Sequence, residues 1–285
     1  MPWALILALA AALPSGSATP VAPAKSPAAA VVRPAPDTTA PSASDADAER
    51  ELLLLANDAR ARVGVPPLQV DAGLAEAARE HVAILVHKQQ LSHQFDGEPP
   101  LLQRVSKSTL HLDKAGENVA YDIGVEQAHE GLMHSPPHRA NLLNASYNVA
   151  GFAVVHTGRR LYVVQDFGHS VPAYPVEKAE SIAIGAIQRL RGQYRLPALK
   201  ARRETVLQRA ACSMAQQDRL ETHSLASLHR PKYILSYAIM QPEMLTPSAG
   251  KAVSDGSVRS LSLGACYGRT ATYPNGTYWV AMLFY

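Results

Sequence analysis

Residues 116–143 read GENVAYDIGVEQAHEGLMHSPPHRANLL, and the reading of this stretch decides the fold. Gly116-Glu117-Asn118-Val119-Ala120 opens it with a carboxylate next to an amide that can fix loop backbone through side-chain bonds. Residues 124–133 then follow a helical pattern. Ser135-Pro136-Pro137-His138 reads as a fresh helix start, with Ser135 as cap and Pro136 in the first turn.

Outward from this core, residues 150–156 and 161–167 are strand-like, and Thr157-Gly158-Arg159-Arg160 between them predicts a hairpin. Upstream, Leu52, Ala56, Ala59 and Val63 recur at helical spacing until Gly64 and Pro66-Pro67 end the helix. Asp71 is the expected N-cap of a second helix that carries Leu74, Ala78, His81 and Leu85 on one face and runs to about Lys88. The predicted order is helices first, then strands. Residues 170–175, SVPAYP, interrupt the pattern and mark a domain boundary, with a new helix near Val176.

The second half repeats the first in outline. Pro197-Ala198-Leu199 lies on Pro66-Pro67-Leu68, and after a small insertion Leu207 and Ala210-Ala211 lie on Leu74 and Ala77-Ala78. Gly264 through Phe284, with Pro274-Asn275-Gly276 as the turn, echoes Gly151 through Phe167. Internal duplication is the expectation; chance likeness of Ala-rich amphipathic helices is the alternative. The segment 223–259 finds no counterpart.

The chain has 285 residues, enough for two cores. A net charge of +3 is too small for a nucleic-acid footprint. The apolar run Ala4 to Leu13 is too short to span a bilayer, and Gly16-Ser17-Ala18 supplies small residues for cleavage, so residues 1–18 read as a signal peptide although a basic residue before the run is missing. Residues 19–47 are rich in Pro, Ala, Ser and Thr and read as a disordered linker. Export to the periplasm or the medium is expected, with no transmembrane segment after cleavage. Cys212 and Cys266 are the only two cysteines, and sequence leaves open whether they form a disulfide or remain buried free thiols.

Histidines crowd the centre of the first half: His81, His87, His93, His111, His129, His134 and His138. Imidazole both ligates metals and changes charge near neutral pH, so the crowding invites a site. His81 falls on the apolar face of its helix and reads as a satisfied core residue, His129 and His134 as surface residues flanking the site helix. For His138 the bland reading is the first turn of a solvated helix.

Leu91-Ser92-His93, Gly116-Glu117-Asn118 and Ser135 through Leu143, followed by Gly151-Phe152 and Gln165-Asp166-Phe167-Gly168, together resemble the CAP superfamily of cysteine-rich secretory, antigen 5 and pathogenesis-related-one (SCP-like) proteins, in its bacterial branch. The resemblance covers about residues 50–168 and includes Asn57-Asp58-Ala59-Arg60 and Pro67-Leu68. It implies an α+β fold, a three-layer α-β-α sandwich in tandem: a CAP domain over 48–170 and a degenerate CAP-like domain over 176–285 without Gly-Glu-Asn or Pro-His-Arg segments. It also implies a cleft in which His93, Glu117 and His138 face one another. The second acid of the family's cleft is not evident; Glu130 and Asp166 are the candidates, and Leu132 stands where many members have tryptophan.

Two functions follow from this cleft. One is a binding module for a lipid, an envelope component or a protein. The other is a metal-assisted hydrolase or protease in which His93 and His138 hold a divalent ion such as zinc and Glu117 acts as base. No serine, cysteine or threonine is tied by a motif to a base, and the His-Glu-x-x-His spacing is absent, so the binding module is the preferred expectation.

Overall fold

Asp45 opens the first helix, its carboxylate accepting from Asp47 N and Ala48 N. In this computed structural model, residues 44–285 are described except 226, 227 and 229. The expected signal peptide at 1–18 and the linker up to 43 lie outside the described residues, as does His229. Helix α1 (Ala46–Arg62) begins within the last two residues of the expected linker.

The short strand β1 (Gln69–Val70) follows, then α2 (Ala72–Lys88), capped by Asp71 as its sequence predicts. After α3 (Leu101–Arg104) and a 3-10 turn (Val105–Lys107) the chain enters β2 (His111–Asp122). The sequence reading assigns no element to this stretch, where Lys114, Gly116, Glu117 and Asn118 interrupt any apolar alternation. The first half closes with α4 (Val125–His134), α5 (Pro136–Leu142) and the hairpin β3 (Val149–Thr157) and β4 (Arg160–Val171). Ser135 takes the cap position of α5, but its side chain makes no capping bond.

The first sheet runs β1-β3-β4-β2, with β1 parallel to β3 and the other pairs antiparallel. Alternation splits its strands between two cores. On one face Ala150, Phe152, Val154, Leu161, Val163 and Phe167 meet Leu52 and Ala56 of α1 and Leu132 of α4. On the other, Ala153, Val155, Tyr162 and Val164 meet Ala78, Val82 and Leu85 of α2. The arrangement is an α-β-α sandwich.

The second half comprises α6 (Val176–Gln193), β5 (Lys200–Arg203), α7 (Thr205–Gln217), β6 (Tyr233–Ile239), α8 (Pro247–Ser254), β7 (Ser260–Gly268) and β8 (Thr277–Phe284). Its sheet runs β5-β7-β8-β6, again with one parallel pair at the β5 edge. Ala183 and Ile187 of α6 pack on one face, and Leu207, Ala211 and Met214 of α7 on the other. Gly151 and Gly264 occupy matching places: a Cβ on either would strike the backbone of the facing helix, at Leu74–Ala75 and at Leu207–Gln208. Cys212 of α7 and Cys266 of β7 form a disulfide, which settles the alternative that sequence left open and ties that helix to its sheet.

Candidate functional site

Glu117 sits mid-strand on β2, directly across from Asp166 on β4. The pleat turns both side chains toward α2, where the core becomes polar. His81 of α2, wholly buried, holds Glu98 Oε1 with Nδ1 at 2.6 Å and Ser92 O with Nε2 at 2.9 Å. Both ring nitrogens are engaged, so His81 is the satisfied core residue its helix face predicts. It also anchors the loop 91–98 at two points, and that loop carries His93.

Arg104, from the end of α3, binds the cluster together. Its guanidinium lies 2.9 Å from Glu117 Oε2 and 3.4 Å from Glu98 Oε1, and Nη2 donates to the His93 carbonyl at 3.0 Å. His93 Nδ1 in turn meets Glu117 Oε1 at 2.9 Å. The acids and the arginine are buried, whereas the His93 side chain keeps 28% of its exposure. Glu117 therefore forms the floor of the cleft, and His93 is the group that the floor presents to solvent.

His138 approaches from α5 on the other side of the edge strand β2. Asn118 Nδ2 donates to the His138 carbonyl and to Gln165 Oε1, each at 3.1 Å. Asn141 Nδ2 donates to Asn118 Oδ1 at 3.0 Å and to Glu117 O at 3.1 Å. Asn118 and Asn141 thus lace α5 to β2, the backbone-fixing role expected of Asn118. Burial pulls the His138 pKa below the ordinary histidine value, and the nearby His93 charge pulls it the same way. His138 is half-buried rather than a solvated first-turn residue.

Of the two candidates for a second acid, Asp166 joins the cluster and Glu130 stands exposed on α4. Asp166 is fully buried, and among the described residues no N–H donor reaches its oxygens. Burial first, and the adjoining Glu117 carboxylate second, hold its pKa well above the usual carboxylate value. His129 is half-buried and its pKa is lowered by burial, while His134 is exposed on the surface.

Among the described residues no group of three or more His, Cys, Asp or Glu side chains is arranged to hold a metal ion. The donors that the cleft turns outward are two imidazoles, with Glu117 already engaged by His93 and Arg104. Two imidazoles without a free carboxylate fall short of the three protein ligands of a catalytic zinc site.

Sequence reasoning missed Glu98 and Arg104. Arg104 stands between Leu101 and Val105 at helical spacing, an arginine inside an apolar stripe, and that placement is the one sign of burial the sequence offers.

Residues 53–167 match the model of the CAP family, the cysteine-rich secretory protein family. Two proteins of Bacillus subtilis are similar to part of the chain. The uncharacterized membrane protein YlbC is 32% identical over 120 residues, 42% of this chain and 34% of its own length. The uncharacterized protein YkwD is 30% identical over 122 residues, 42% of this chain and 47% of its own. The chain thus spans about a third to a half of the curated relatives it matches. Among solved structures, an extracellular protein containing an SCP domain from Bacillus anthracis is 26% identical, with a TM-score of 0.40, covering 44% of this chain and 41% of that one.

Proposed function

We propose that the chain is an exported binding protein whose CAP-type cleft grips its ligand between His93 and His138, over the floor made by Glu117. The ligand classes that suit such a cleft are a lipid, a cell-envelope component or a protein. One observation carries this reading: Glu117 Oε1 is held by His93 and Oε2 faces Arg104, so the carboxylate is spent on positioning an imidazole. A metal-assisted hydrolase or protease needs that carboxylate free as a base, and here it supports His93 instead.

We read residues 176–285 as a degenerate repeat of 48–170. The matching strand orders support this, as do two pairs of equivalent bonds. Asn57 exchanges bonds with Leu68 at 3.1 and 2.8 Å, and Gln188 does so with Leu199 at 2.8 and 2.9 Å. Export is supported by the apolar segment at 4–13 and the small residues behind it. Among the described residues no helix is long and apolar enough to cross a membrane.

The experiment is cosedimentation with purified envelope fragments, comparing wild type with His93→Ala and His138→Ala, alongside calorimetric titration with zinc, magnesium and calcium. Retention that falls in both variants, without stoichiometric metal binding, is the expected result. Stoichiometric metal binding lost in both variants would return the reading to a metal-assisted enzyme. Retention unchanged in both would remove the cleft from ligand binding.

A further inference from the structure

We propose that the second half positions the cleft of the first, through Arg269 and Asn275 acting on the segment that carries Arg104. The functional meaning of this role rests on the cleft reading above; its mechanics do not.

The second half reaches the first at the β7–β8 end of its sheet. Arg269, one residue past β7, donates from Nη1 to Ser106 O at 3.1 Å and to Ser108 O at 2.8 Å, and from Nη2 to Leu110 O at 2.7 Å. Asn275, buried in the β7–β8 turn, donates to Leu102 O at 2.9 Å. Four backbone carbonyls of residues 102–110 are therefore held by two side chains of the other half. His111 follows directly, buried between the Tyr267 and Tyr278 rings at centroid distances of 5.2 and 5.9 Å.

Arg104 lies inside this held segment. Its own side chain leaves in the opposite sense, to Glu117, Glu98 and the His93 carbonyl. The turn is anchored from the first half by Lys107, which bonds Glu76 at 3.0 Å and Glu80 at 2.8 Å, but these carboxylates are exposed and such pairs hold a backbone weakly. The guanidinium fork of Arg269 supplies the firm side of the clamp, because a planar donor set serving three carbonyls loses little freedom per bond. Val105, packed with Leu74, and Ser108, against Gly73, seat the turn on α2, while its carbonyls at 106, 108 and 110 take their donors from Arg269.

A repeat that has lost the Gly-Glu-Asn and Pro-His-Arg segments can still be retained if it holds the loop on which the working cleft depends. Arg269 and Asn275 are positioning residues in this sense: they touch neither His93 nor Glu117 and act through Arg104.

The test uses the full chain, with Arg269→Ala, Arg269→Lys and Asn275→Ala, and with Arg203→Ala as control, since Arg203 bonds Glu177, Ser181 and Glu180 within the second half alone. Two readouts are taken: amide hydrogen exchange over residues 102–110, and the ring resonances of His93. Arg269→Ala is expected to speed exchange in the segment by about tenfold or more, the loss expected for bonds from a charged donor, and to displace the His93 resonances. Arg203→Ala is expected to leave both unchanged. Should Arg269→Ala not fold, Arg269→Lys and Asn275→Ala each remove part of the clamp and are expected to move the same signals in the same sense by less.

Unchanged exchange and unchanged His93 resonances in the folded variants would overturn the proposal, and so would equal changes in the Arg203→Ala control. These signals report positioning whether or not the cleft retains envelope fragments, so failure here is distinct from failure of the binding reading.

Discussion

Arg60 and Arg191 hold matching sets of carbonyls in the two halves. Arg60 donates to Pro66 O, Leu142 O, Asn144 O and Tyr147 O at 2.7 to 3.0 Å. Arg191 donates to Pro197 O, Val253 O, Asp255 O and Val258 O at 2.7 to 3.3 Å. Each guanidinium is buried at the C-terminal end of its first helix and ties the loop after it to the turn that precedes the third strand of its half. Replacement of either by Met leaves four buried or half-buried carbonyls without their donor. A loss of about 3 kcal/mol or more is expected in each case, read by urea unfolding, with the damage confined to the half that carries the substitution.

His81→Leu removes both anchors of the loop 91–98 and leaves Glu98 without its imidazole. The apolar substitute fits the helix face, so α2 is expected to persist while the loop loosens. Exchange protection at residues 91–98 should fall, and stability should drop by about 2 kcal/mol, since a buried carboxylate loses a charge-assisted bond. Unchanged protection across the loop would count against His81 as its anchor.

Asp166 makes the fold sensitive to pH in a stated direction. Its pKa is raised in the folded state by burial and by Glu117, so between the ordinary carboxylate value near 4 and the raised value the folded chain binds more protons than the unfolded one. Its contribution to stability is therefore fully present at low pH and declines as pH rises through that window. Asp166→Asn keeps the shape, removes the titration and can donate to Glu117. Thermal unfolding followed against pH should show the variant gaining on wild type as pH rises from about 4 toward neutrality.

His138, His129 and His111 act with the opposite sign. Burial lowers all three pKa values, so each contributes stability that is present above about pH 6.5 and lost as pH falls through the lowered folded value. At His111, Arg269 opposes protonation while Asp113 favours it, and Tyr267 and Tyr278 face the ring. A His138→Asn variant is expected to lose less stability than wild type on acidification below about pH 6, in the same thermal series.

Reduction of the Cys212–Cys266 bond opens a loop with a sequence separation of 54 residues. The chain-entropy estimate for a loop of that size is about 4 kcal/mol. Unfolding with and without reductant should show a loss of that order in the second half, with hydrogen exchange in the sheet of the first half unaffected.

Much of the site was legible in the sequence. His93, Glu117 and His138 stand in short motifs whose order and spacing imply one cleft, and the structure joins His93 to Glu117 directly and sets His138 close enough for the two imidazole charges to interact. What the sequence did not show is the support beneath. Glu98 lies in a loop without periodic pattern, and Arg104 shows only its place beside Leu101 and Val105 at helical spacing, which does not name the partners that reach it from β2 and the loop 91–98. The strand β2 was missed for a related reason: its polar residues face the cluster and α5, so alternation by hydropathy fails where the tertiary partners are themselves polar.

Local chemistry determined helices α1, α2 and α4, the Asp71 cap and the β3–β4 hairpin turn, because each depends on residues a few positions apart. Asp71 bonds Leu74 N, three residues on, and needs no help from the rest of the chain. Tertiary structure alone decided which acid stands beside Glu117, whether the two cysteines meet, and that Arg269 holds the turn carrying Arg104, more than 150 residues away in sequence. These depend on strand register and on the docking of one half against the other, where a free energy shared among many distant contacts fixes positions that no short stretch encodes.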